Sequence, residues 1–416
     1  MAATTLESRL RSQAGTGFSE APGSFAAGVE AVTHALDMAG TTKCDLVLLF
    51  ATSKHNPEAV RDGVRSVVGP GPRLVGGGAV GVITNDRLGY EGFQVGAAVI
   101  RSAGTGIDVL VEPDIVDREY ETGLALGRQI RAGAFADPVN LLLLYDIVKE
   151  QRAEGASLNM AAPLLRGMTD ALGDWPRTAG GGLTGDLYWN PNFQWIDDEI
   201  VRHSAVGVVL SGGLRMDTIT IHGCRPSSAY QIITKADGNV ILELNGRPAV
   251  DVISELVGVE SNAAWEDYPI FLILGVNNGD QFGEFRQDDY ALRLCMSLDK
   301  ERGGLAMFGD DLVPGSAVQL MRRSIEFDYV RQRTELLLQA VEGRRPVLAL
   351  YIDCGGRAAQ YCGTDREEAE EVQRTIGPDI PLLGLYTGCE IAKAGTVMQS
   401  HNYTGILSIF SEPLEP

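Results

Sequence analysis

The sequence has few of the residues and patterns that mark metal-binding, membrane-spanning or secreted proteins. Its six cysteines are scattered and show no Cys-x-x-Cys spacing, so a zinc ribbon is not expected. No apolar run is long enough to cross a bilayer, and the N-terminus lacks the apolar core of a signal peptide. Scattered thiols are typical of a reducing compartment, so we expect a cytoplasmic protein without membrane insertion.

Basic residues are also scarce. The chain carries 35 Lys and Arg against 55 Asp and Glu, which gives a formal net charge of −20. A balance this acidic argues against nucleic acid as a partner, because phosphate backbones attract basic surfaces. With 416 residues and 44% hydrophobic content, the chain is long enough for two domains with ordinary cores.

One pattern of apolar and glycine-rich segments recurs along the chain. A buried strand is predicted at 44–51, at 140–146 and at 347–352, each followed by a helix, a glycine-rich turn and a second strand. A degenerate fourth copy is predicted at 270–298. Recurrence at these long and uneven intervals indicates internal duplication of a strand–helix–strand–strand unit. We therefore predict a mixed α/β fold in which the duplicated units form mixed sheets that pack together, with the helices outside.

A hairpin with an Asp-Gly turn is predicted at 230–244, and the sequence pattern changes just before it. A long helix is predicted at 316–342, leading into the third copy. The expected division is a flexible N-terminus at 1–20, one domain at 21–227 and a second at 228–416.

In the third copy, polar residues follow the predicted strand at 347–352 and a second apolar run at 381–386, and a small-ligand site is expected there. Arg357 comes shortly after the first strand and Glu390 after the second. Arg357 would bind a carboxylate and Glu390 an ammonium group, which suits an amino-acid-like ligand. The alternative is a structural ion pair between the two. Asn402, before the last strand, would hydrogen-bond the same ligand or cap its own turn.

The glycine turns of the two domains would form a cleft around this ligand. Asp186 corresponds to Glu390 in the repeat, and it would either line the cleft or close an Asx turn. The glycines would let the backbone approach the ligand, or would only make turns. The other predicted ligand contacts are Cys354, Tyr386, Gly77, Gly78, Gly181 and Thr184.

Catalysis and haem binding are alternative interpretations of the same region. Cys354 lies near Arg357, whose cation would favour a thiolate, so a cysteine-dependent enzyme acting on a small metabolite is one alternative to a merely buried thiol. No His/Asp relay is readable near Cys354, so we expect binding rather than catalysis. No cofactor is expected, although a haem needs only one axial histidine. His55 and His401 are the best placed for that role, unless they are solvated loop histidines.

The order of these motifs resembles the FIST family, with an N-terminal and a C-terminal FIST domain in tandem. In the first half, the resemblance rests on the run Leu74-Val75-Gly76-Gly77-Gly78. In the second half it rests on the runs Asp353-Cys354-Gly355-Gly356-Arg357, Tyr386-Thr387-Gly388-Cys389-Glu390 and His401-Asn402-Tyr403-Thr404. The family's usual Gly-Tyr/Phe-Gly-Glu turn has Cys389 in place of a glycine here.

The resemblance implies a sensory module for signal transduction that binds a small ligand, often joined to output domains. Some members of the family are haem-based nitric-oxide sensors. About twenty residues precede the first predicted helix and few follow Phe410, so we expect a stand-alone protein that signals through a separate partner. On this interpretation, Arg357→Ala abolishes ligand binding and leaves the thermal unfolding of the free protein within a few degrees.

Overall fold

Three successive segments of the chain share one order of helices and strands. A computed structural model describes residues 11–152, 155–268 and 271–414. In each segment a strand, a helix, a strand, a helix and a strand are followed by a hairpin and a closing strand. The first segment comprises β1 (Gln13–Ser19), α1 (Ser24–Ala39), β2 (Leu46–Ala51), α2 (Pro57–Val68), β3 (Arg73–Gly78), β4 (Gly81–Ile83), β5 (Leu88–Tyr90) and β6 (Val95–Arg101).

The second and third segments repeat this order with additions. The second comprises β7 (Thr105–Glu112), α3 (Glu119–Ala132), β8 (Val139–Asp146), β9 (Val148–Arg152), β10 (Gly155–Leu158), α4 (Ala161–Leu172), β11 (Arg177–Leu183), β12 (Gln194–Ile196), β13 (Glu199–Val201) and β14 (Ala205–Gly212). The third opens with β15 (Arg215–Ile221) and is then interrupted by β16 (Cys224–Pro226), β17 (Gln231–Asp237), β18 (Val240–Leu244), β19 (Arg247–Pro248), α5 (Ala249–Val257), β20 (Leu272–Asn277), β21 (Tyr290–Asp299), β22 (Gly304–Met307) and β23 (Ala317–Arg323). It resumes with α6 (Asp328–Ala340), β24 (Arg344–Cys354), α7 (Ala359–Cys362), α8 (Glu368–Ile376), β25 (Leu382–Thr387), β26 (Cys389–Ala394), β27 (Val397–His401) and β28 (Gly405–Pro413).

The three segments build three six-stranded sheets with equivalent strand orders. These orders are β1-β6-β2-β3-β12-β13, β7-β14-β8-β11-β26-β27 and β15-β28-β24-β25-β4-β5. The third and fourth strands of every sheet are parallel, and the last two are a hairpin that comes from another segment. The first segment gives its hairpin to the third sheet, the second to the first, and the third to the second. This exchange links the three sheets in a closed ring.

The inner faces of the three sheets share one hydrophobic core. Phe50, Leu144 and Ile352, one from each sheet, belong to it. Helices α1 and α2 cover the outer face of the first sheet, α3 and α4 the second, and α6 and α8 the third. Parallel strands that are buried on both faces explain the uninterrupted apolar runs in the sequence. The predicted fold class, with duplicated units in mixed sheets and helices outside, is confirmed.

The interruption of the third segment forms a separate sheet. Its strands run in the order β16-β23-β17-β18-β22-β21-β20, and α5 packs against it over a core of its own. The predicted hairpin at 230–244 is confirmed as β17 and β18. The predicted division at 227/228 falls close to the start of this inserted sheet, whereas the third segment itself begins at Arg215.

Two predictions about the inserted region are wrong. The proposed fourth copy at 270–298 consists of β20 and β21, which pair directly with each other and have only a single 3-10 turn, Gln287–Asp289, between them. The proposed helix at 316–342 begins instead as β23, because Val318 and Leu320 point into the core of the inserted sheet at the two-residue period of a strand. Helix α6 starts only at Asp328.

Residues Gln13–Ser19, predicted as part of a flexible N-terminus, form strand β1, which pairs with β6 along its whole length. Two glycines interrupt the side-chain pattern of this strand, so the sequence alone does not indicate a strand here. They are required because α1 packs directly on the strand: a Cβ at Gly17 would lie 2.0 Å from the carbonyl oxygen of Ala31.

The predicted glycine turns at 76–78 and 180–182 lie inside strands β3 and β11. A Cβ at Gly180 would lie 2.1 Å from the carbonyl oxygen of Leu143 on the neighbouring parallel strand. These glycines therefore allow close packing of the sheet and do not make turns. Among the described residues, no helix is both long and apolar enough to cross a membrane.

Candidate functional site

A cleft of about 260 Å³ opens at the carboxyl ends of the parallel strands β24 and β25. The inserted sheet forms one wall, and the loop between β11 and β12 of the second segment forms another. We call it the strand-end cleft. Its lining consists of Leu187, Trp189, Phe271, Leu294, Met296, Phe308, Cys354, Gly356, Tyr361, Thr387, Gly388 and Asn402.

The floor of the strand-end cleft is polar and comes from the third segment. Cys354 and Thr387 end their strands side by side, since they are partners in the register of β24 and β25. The amide oxygen of Asn402 accepts a hydrogen bond from the backbone N–H of Leu294 at 3.2 Å, and its Nδ2 donates to the carbonyl oxygen of His401 at 3.1 Å. These bonds fix the Asn402 side chain and tie the inserted sheet to the floor.

The walls of the cleft are aromatic and aliphatic. Trp189 contacts Phe308 with ring centroids 5.7 Å apart, and Phe271 contacts Tyr403 at 4.4 Å. Trp189 has a φ of 57°, in the left-handed region that residues other than glycine rarely adopt. The second segment and the inserted sheet thus meet each other across the cleft through aromatic side chains.

A short turn sets the position of the Trp189 loop. The Asp186 carboxylate accepts hydrogen bonds from the backbone N–H of Tyr188 at 3.0 Å and from Nδ2 of Asn190 at 2.9 Å. The Thr184 hydroxyl donates to the carbonyl oxygen of Asp186 at 2.7 Å. Of the two roles predicted for Asp186, the geometry is that of the Asx turn. Asp186 and Thr184 shape the loop that carries Leu187 and Trp189, but they do not line the cleft.

Glu390 lies beneath the floor and is fully buried. The Thr387 hydroxyl donates to its Oε1 at 3.1 Å, and the backbone N–H of Thr404 donates to its Oε2 at 3.4 Å. Burial, and then the nearby charge of Asp353, raises the pKa of Glu390 well above its ordinary value. The protonated carboxyl is therefore favoured, and a ligand ammonium group would find no exposed carboxylate here.

Arg357 is also buried, and both edges of its guanidinium group are occupied. Its Nε forms an ion pair with Asp353 at 2.8 Å, its Nη2 pairs with Glu368, and its Nη1 donates to the carbonyl oxygen of Tyr403 at 3.3 Å. The structural ion pair considered from the sequence thus exists, but with Asp353 and Glu368 and not with Glu390. Its neighbour Gly356, and not Arg357, faces the cleft.

The other predicted contacts divide between the cleft and the sheets. Tyr386 is buried in the core, and its hydroxyl donates to Glu367 at 3.2 Å. Gly77 and Gly78 lie in β3 against residues 192–194, and Gly181 pairs with Glu390 across β11 and β26. Of the predicted residues, only Cys354 and Asn402 line the cleft.

The thiols at the site are buried and favour the protonated form. Burial, and then the charge of Glu390, raises the pKa of Cys354 well above its ordinary value. The same two causes raise the pKa of Cys389 to about 12. Arg357 does not produce the thiolate considered from the sequence, because its charge is balanced by Asp353 and Glu368.

The two candidate haem ligands lie away from the strand-end cleft, and haem binding at either of them stays a prediction. His55 Nδ1 lies 3.1 Å from the Ser24 hydroxyl, and His401 Nε2 lies 3.2 Å from the carbonyl oxygen of Ala392. Both rings are buried, and neither lines the strand-end cleft. Burial lowers the pKa of His401 to about 3. Within the described part of the chain, no group of three or more His, Cys, Asp or Glu side chains could hold a metal ion.

The aromatic and aliphatic walls were not predicted from the sequence. Apart from Tyr361, which lies on α7 close to the floor in sequence, they belong to a loop of the second segment and to three strands or loops of the inserted sheet, each far from the floor in sequence. One signal was present: Trp189 lies in a polar, proline-containing loop, where a large aromatic residue has no core to enter.

Family models match most of the chain. A FIST N domain matches residues 45–247, and a FIST C domain matches residues 249–393. An uncharacterized protein of Mycobacterium tuberculosis is 27% identical over 240 residues, which are 57% of this chain and 62% of the relative. An uncharacterized protein of Methanocaldococcus jannaschii is 25% identical over 204 residues, 46% of this chain and 38% of the relative. The chain thus spans less than two thirds of the length of these relatives.

Among solved structures, a cyanuric acid hydrolase from A. caulinodans aligns with 48% of this chain and 71% of its own. The TM-score is 0.25 and the sequence identity is 12%. Similarity at this level supports no inference about fold or activity.

Proposed function

The chain belongs to the FIST family, and from that premise we propose that it binds a small, uncharged and largely apolar molecule in the strand-end cleft. FIST domains are associated with small-ligand-binding sensory and signalling roles. The observation that carries the proposal is the convergence of aromatic walls from two parts of the chain on a polar floor from a third.

The composition of the walls supports an apolar ligand. Among the residues that the structure describes, the cleft lining includes four aromatic and three aliphatic or thioether side chains and no charged one. Leu294 and Met296 come from β21, while Trp189 and Leu187 come from the opposite loop. A flat ring placed between these walls would be removed from water on both faces, with a gain of roughly 25 cal/mol for each Å² of apolar surface buried.

The floor supports one hydrogen-bonding group on the ligand. Beyond the bonds that they already make, Asn402 has a second Nδ2 hydrogen to donate and the Thr387 hydroxyl oxygen can still accept. Gly388 keeps this part of the floor free of side-chain bulk. An amino-acid-like ligand fits less well than an uncharged one, because Arg357 and Glu390 lie below the floor with their polar groups engaged.

The biological role proposed is that of a sensory module in the cytoplasm, acting through a separate signalling protein. Its support is the family's association with sensing, together with a cleft whose walls belong to different parts of the chain. A ligand that holds these parts together would shift the equilibrium between their arrangements, which is the physical basis of a ligand-operated signal.

Native mass spectrometry of the purified protein, beside the same sample denatured, tests the binding proposal. We expect a mass excess that disappears on denaturation, or else stabilisation by uncharged aromatic probes such as indole and benzimidazole. Phe308→Ala should remove the effect, because it deletes one aromatic wall. Phe282→Ala is the matched control, since Phe282 is 95% exposed and is not one of the residues that line the cleft. Equal binding by both variants, or no binding by the unmodified chain, would refute the proposal.

A further inference from the structure

A second concavity lies at the opposite end of the strands from the strand-end cleft. It has a volume of about 590 Å³ and is formed where β8, β11, β15 and β24 begin and where β14 and β28 end. We call it the arginine hollow. Its lining consists of Asp137, Pro138, Val139, Trp175, Pro176, Arg177, Gly212, Gly213, Arg215, Arg344 and Pro413.

Three arginines converge on this hollow with a single carboxylate between two of them. Asp217 pairs with Arg177 at 3.0 Å and with Arg215 at 2.8 Å. Arg344 donates from Nε to the Ser411 hydroxyl and from Nη2 to the Ser411 carbonyl oxygen, each at 2.9 Å. Within the described chain, Arg344 forms no ion pair with a carboxylate.

The balance of charge in the hollow is positive. Asp217 offsets one of the three guanidinium charges, and Asp137 at the exposed rim contributes one further negative charge. Burial, and then the charge of Arg215, lowers the pKa of Arg344. A guanidinium group held near another cation gains stability when an anion arrives.

This local excess stands out because the protein as a whole carries a net charge of −20. Charges farther away than about 10 Å are largely screened at physiological salt, so the arginines dominate the potential inside the hollow. The contacts to Asp217 and Ser411 occupy one edge of each guanidinium group. Even so, 46% of the Arg177 side chain and 28% of the Arg215 side chain remain exposed.

An aromatic side chain borders the arginines. Trp175 is partly exposed, and its indole N–H donates to the Thr169 hydroxyl at 3.0 Å, which fixes the orientation of the ring. Pro176 and Pro138 continue the apolar side of the hollow without adding flexible side chains. Arginine forks beside an indole ring match an anionic group attached to a planar or apolar body.

We propose that the arginine hollow binds a phosphate-bearing small molecule, with the phosphate on Arg177, Arg215 and Arg344 and the organic part against Trp175. This site is separate from the strand-end cleft and does not depend on the function proposed for it. A single monoester phosphate supplies three acceptor oxygens, enough for one contact to each arginine.

Isothermal titration with AMP, inorganic phosphate and adenosine tests the proposal on the full chain. We expect saturable binding of AMP, weaker binding of phosphate, and none of adenosine. Affinity for AMP should fall as salt rises, because the contacts are ionic. Absence of saturable AMP binding at low salt would overturn the proposal, as would equal binding of AMP and adenosine.

Substitutions of the arginines test whether AMP binds in the arginine hollow. Arg344→Gln should weaken AMP binding about tenfold or more through loss of one charge-assisted contact, and Arg344→Lys should restore part of it. Arg247→Gln, on an exposed arginine paired with Glu255 in the inserted region, is the matched control and should bind like the original chain. Should Arg344→Gln fail to fold by circular dichroism, Arg177→Gln replaces it. A folded variant of either kind with unchanged AMP affinity would overturn the site.

The proposed contact between Trp175 and the organic part of the ligand is tested separately. Trp175→Leu should weaken AMP binding severalfold and leave phosphate binding unchanged, because only AMP has a ring to place on the indole. An equal affinity of the original chain and Trp175→Leu for AMP would overturn the assignment of the organic part to this wall.

Discussion

Replacing Arg357 with methionine should destabilise the fold strongly, in contrast to the small effect that the sequence-based interpretation predicts for its removal. Arg357 holds Asp353 at 2.8 Å and contacts Glu368, and all three side chains are at most 1% exposed. Methionine fills the space but leaves the carboxylates without this cation. Glu368 keeps Arg323 and Tyr329 as partners, so Asp353 becomes the uncompensated charge.

The expected loss is about 3–5 kcal/mol in the free energy of unfolding at pH 7.5, the range found when one member of a buried ion pair is removed. Urea denaturation followed by circular dichroism measures it. Arg331→Met is the control, because Arg331 pairs with Asp328 and Glu335 on the exposed face of α6, where screening makes ion pairs weak. Arg331→Met should leave the denaturation curve unchanged.

The loss should shrink as the pH falls. Burial already raises the pKa of Asp353, and the Arg357 charge opposes that rise, so the pKa rises further in Arg357→Met. A carboxyl whose pKa is raised in the folded state stabilises the fold fully below the unfolded pKa of about 3.9, and this contribution is lost as the pH rises through the folded pKa. The deficit of the variant should therefore be smaller at pH 5 than at pH 7.5.

A second substitution identifies the uncompensated charge. Asp353→Asn in the Arg357→Met background should recover part of the lost stability, since it removes the unpaired carboxylate. Unfolding free energies within 1 kcal/mol for the original chain and Arg357→Met at pH 7.5 would refute the reasoning. So would a loss of the same size at both pH values.

Two further predictions concern packing and thiol chemistry. Gly180→Ala should cost about 3 kcal/mol or more in urea denaturation, because its Cβ would lie 2.1 Å from the Leu143 carbonyl oxygen; Gly71→Ala, with open space around its Cβ, should cost almost nothing. Comparable midpoints for the two variants would contradict the close packing of β8 and β11. Iodoacetamide at pH 7 should label Cys354 and Cys389 only after unfolding, because burial raises the pKa of both thiols; fast labelling of the native protein, read by mass spectrometry, would contradict this.

The elements that could be predicted from the sequence are those whose burial is local and continuous. The strands that became β2, β24 and β25 are uninterrupted apolar runs, because helices cover one face and the shared core covers the other. The helix predicted after the strand at 44–51 is α2, and its start has a local cause: the Asn56 side chain accepts the N–H of Ala59 at 2.7 Å, and a proline follows Asn56.

The exchange of hairpins between segments could not be predicted. Gly81 pairs with Tyr386, and Gly182 pairs with Cys389, across hundreds of residues of sequence. The sequence of a short strand does not specify which distant sheet edge the strand will pair with, because its apolar face would be buried equally well against its own sheet. The recurrence of the unit was visible in the sequence, but the closed ring was not.

The candidate site could be predicted only in part, because the sequence does not specify which distant residues a side chain will contact. Cys354 and Asn402 stand directly beside strand ends, and both line the strand-end cleft; their contact with a ligand stays a prediction. Arg357 stands equally close to a strand end, yet its side chain turns inward because Asp353, four residues earlier, and Glu368 lie there to meet it. Sequence position gives the end of the strand, whereas the partners of a side chain decide whether it faces a ligand.

The hairpin exchange also bears on the sensory role proposed for the strand-end cleft. The floor belongs to the third segment, the Trp189 loop to the second, and the Phe308 wall to the inserted sheet. β26 follows directly from the floor and pairs with β11, the strand from which the Trp189 loop starts. A ligand that moves the Trp189 loop against the floor must therefore act on the same pairing that joins the second and third segments.

The left-handed backbone at Trp189 is a conformation of the kind that costs about 1–3 kcal/mol and persists only where its surroundings impose it. A molecule bound at this point, as proposed, would change those surroundings directly. The loop and the β11–β26 pairing are therefore the elements in which a ligand-dependent signal should first be measured, as hydrogen-exchange protection with and without the added molecule.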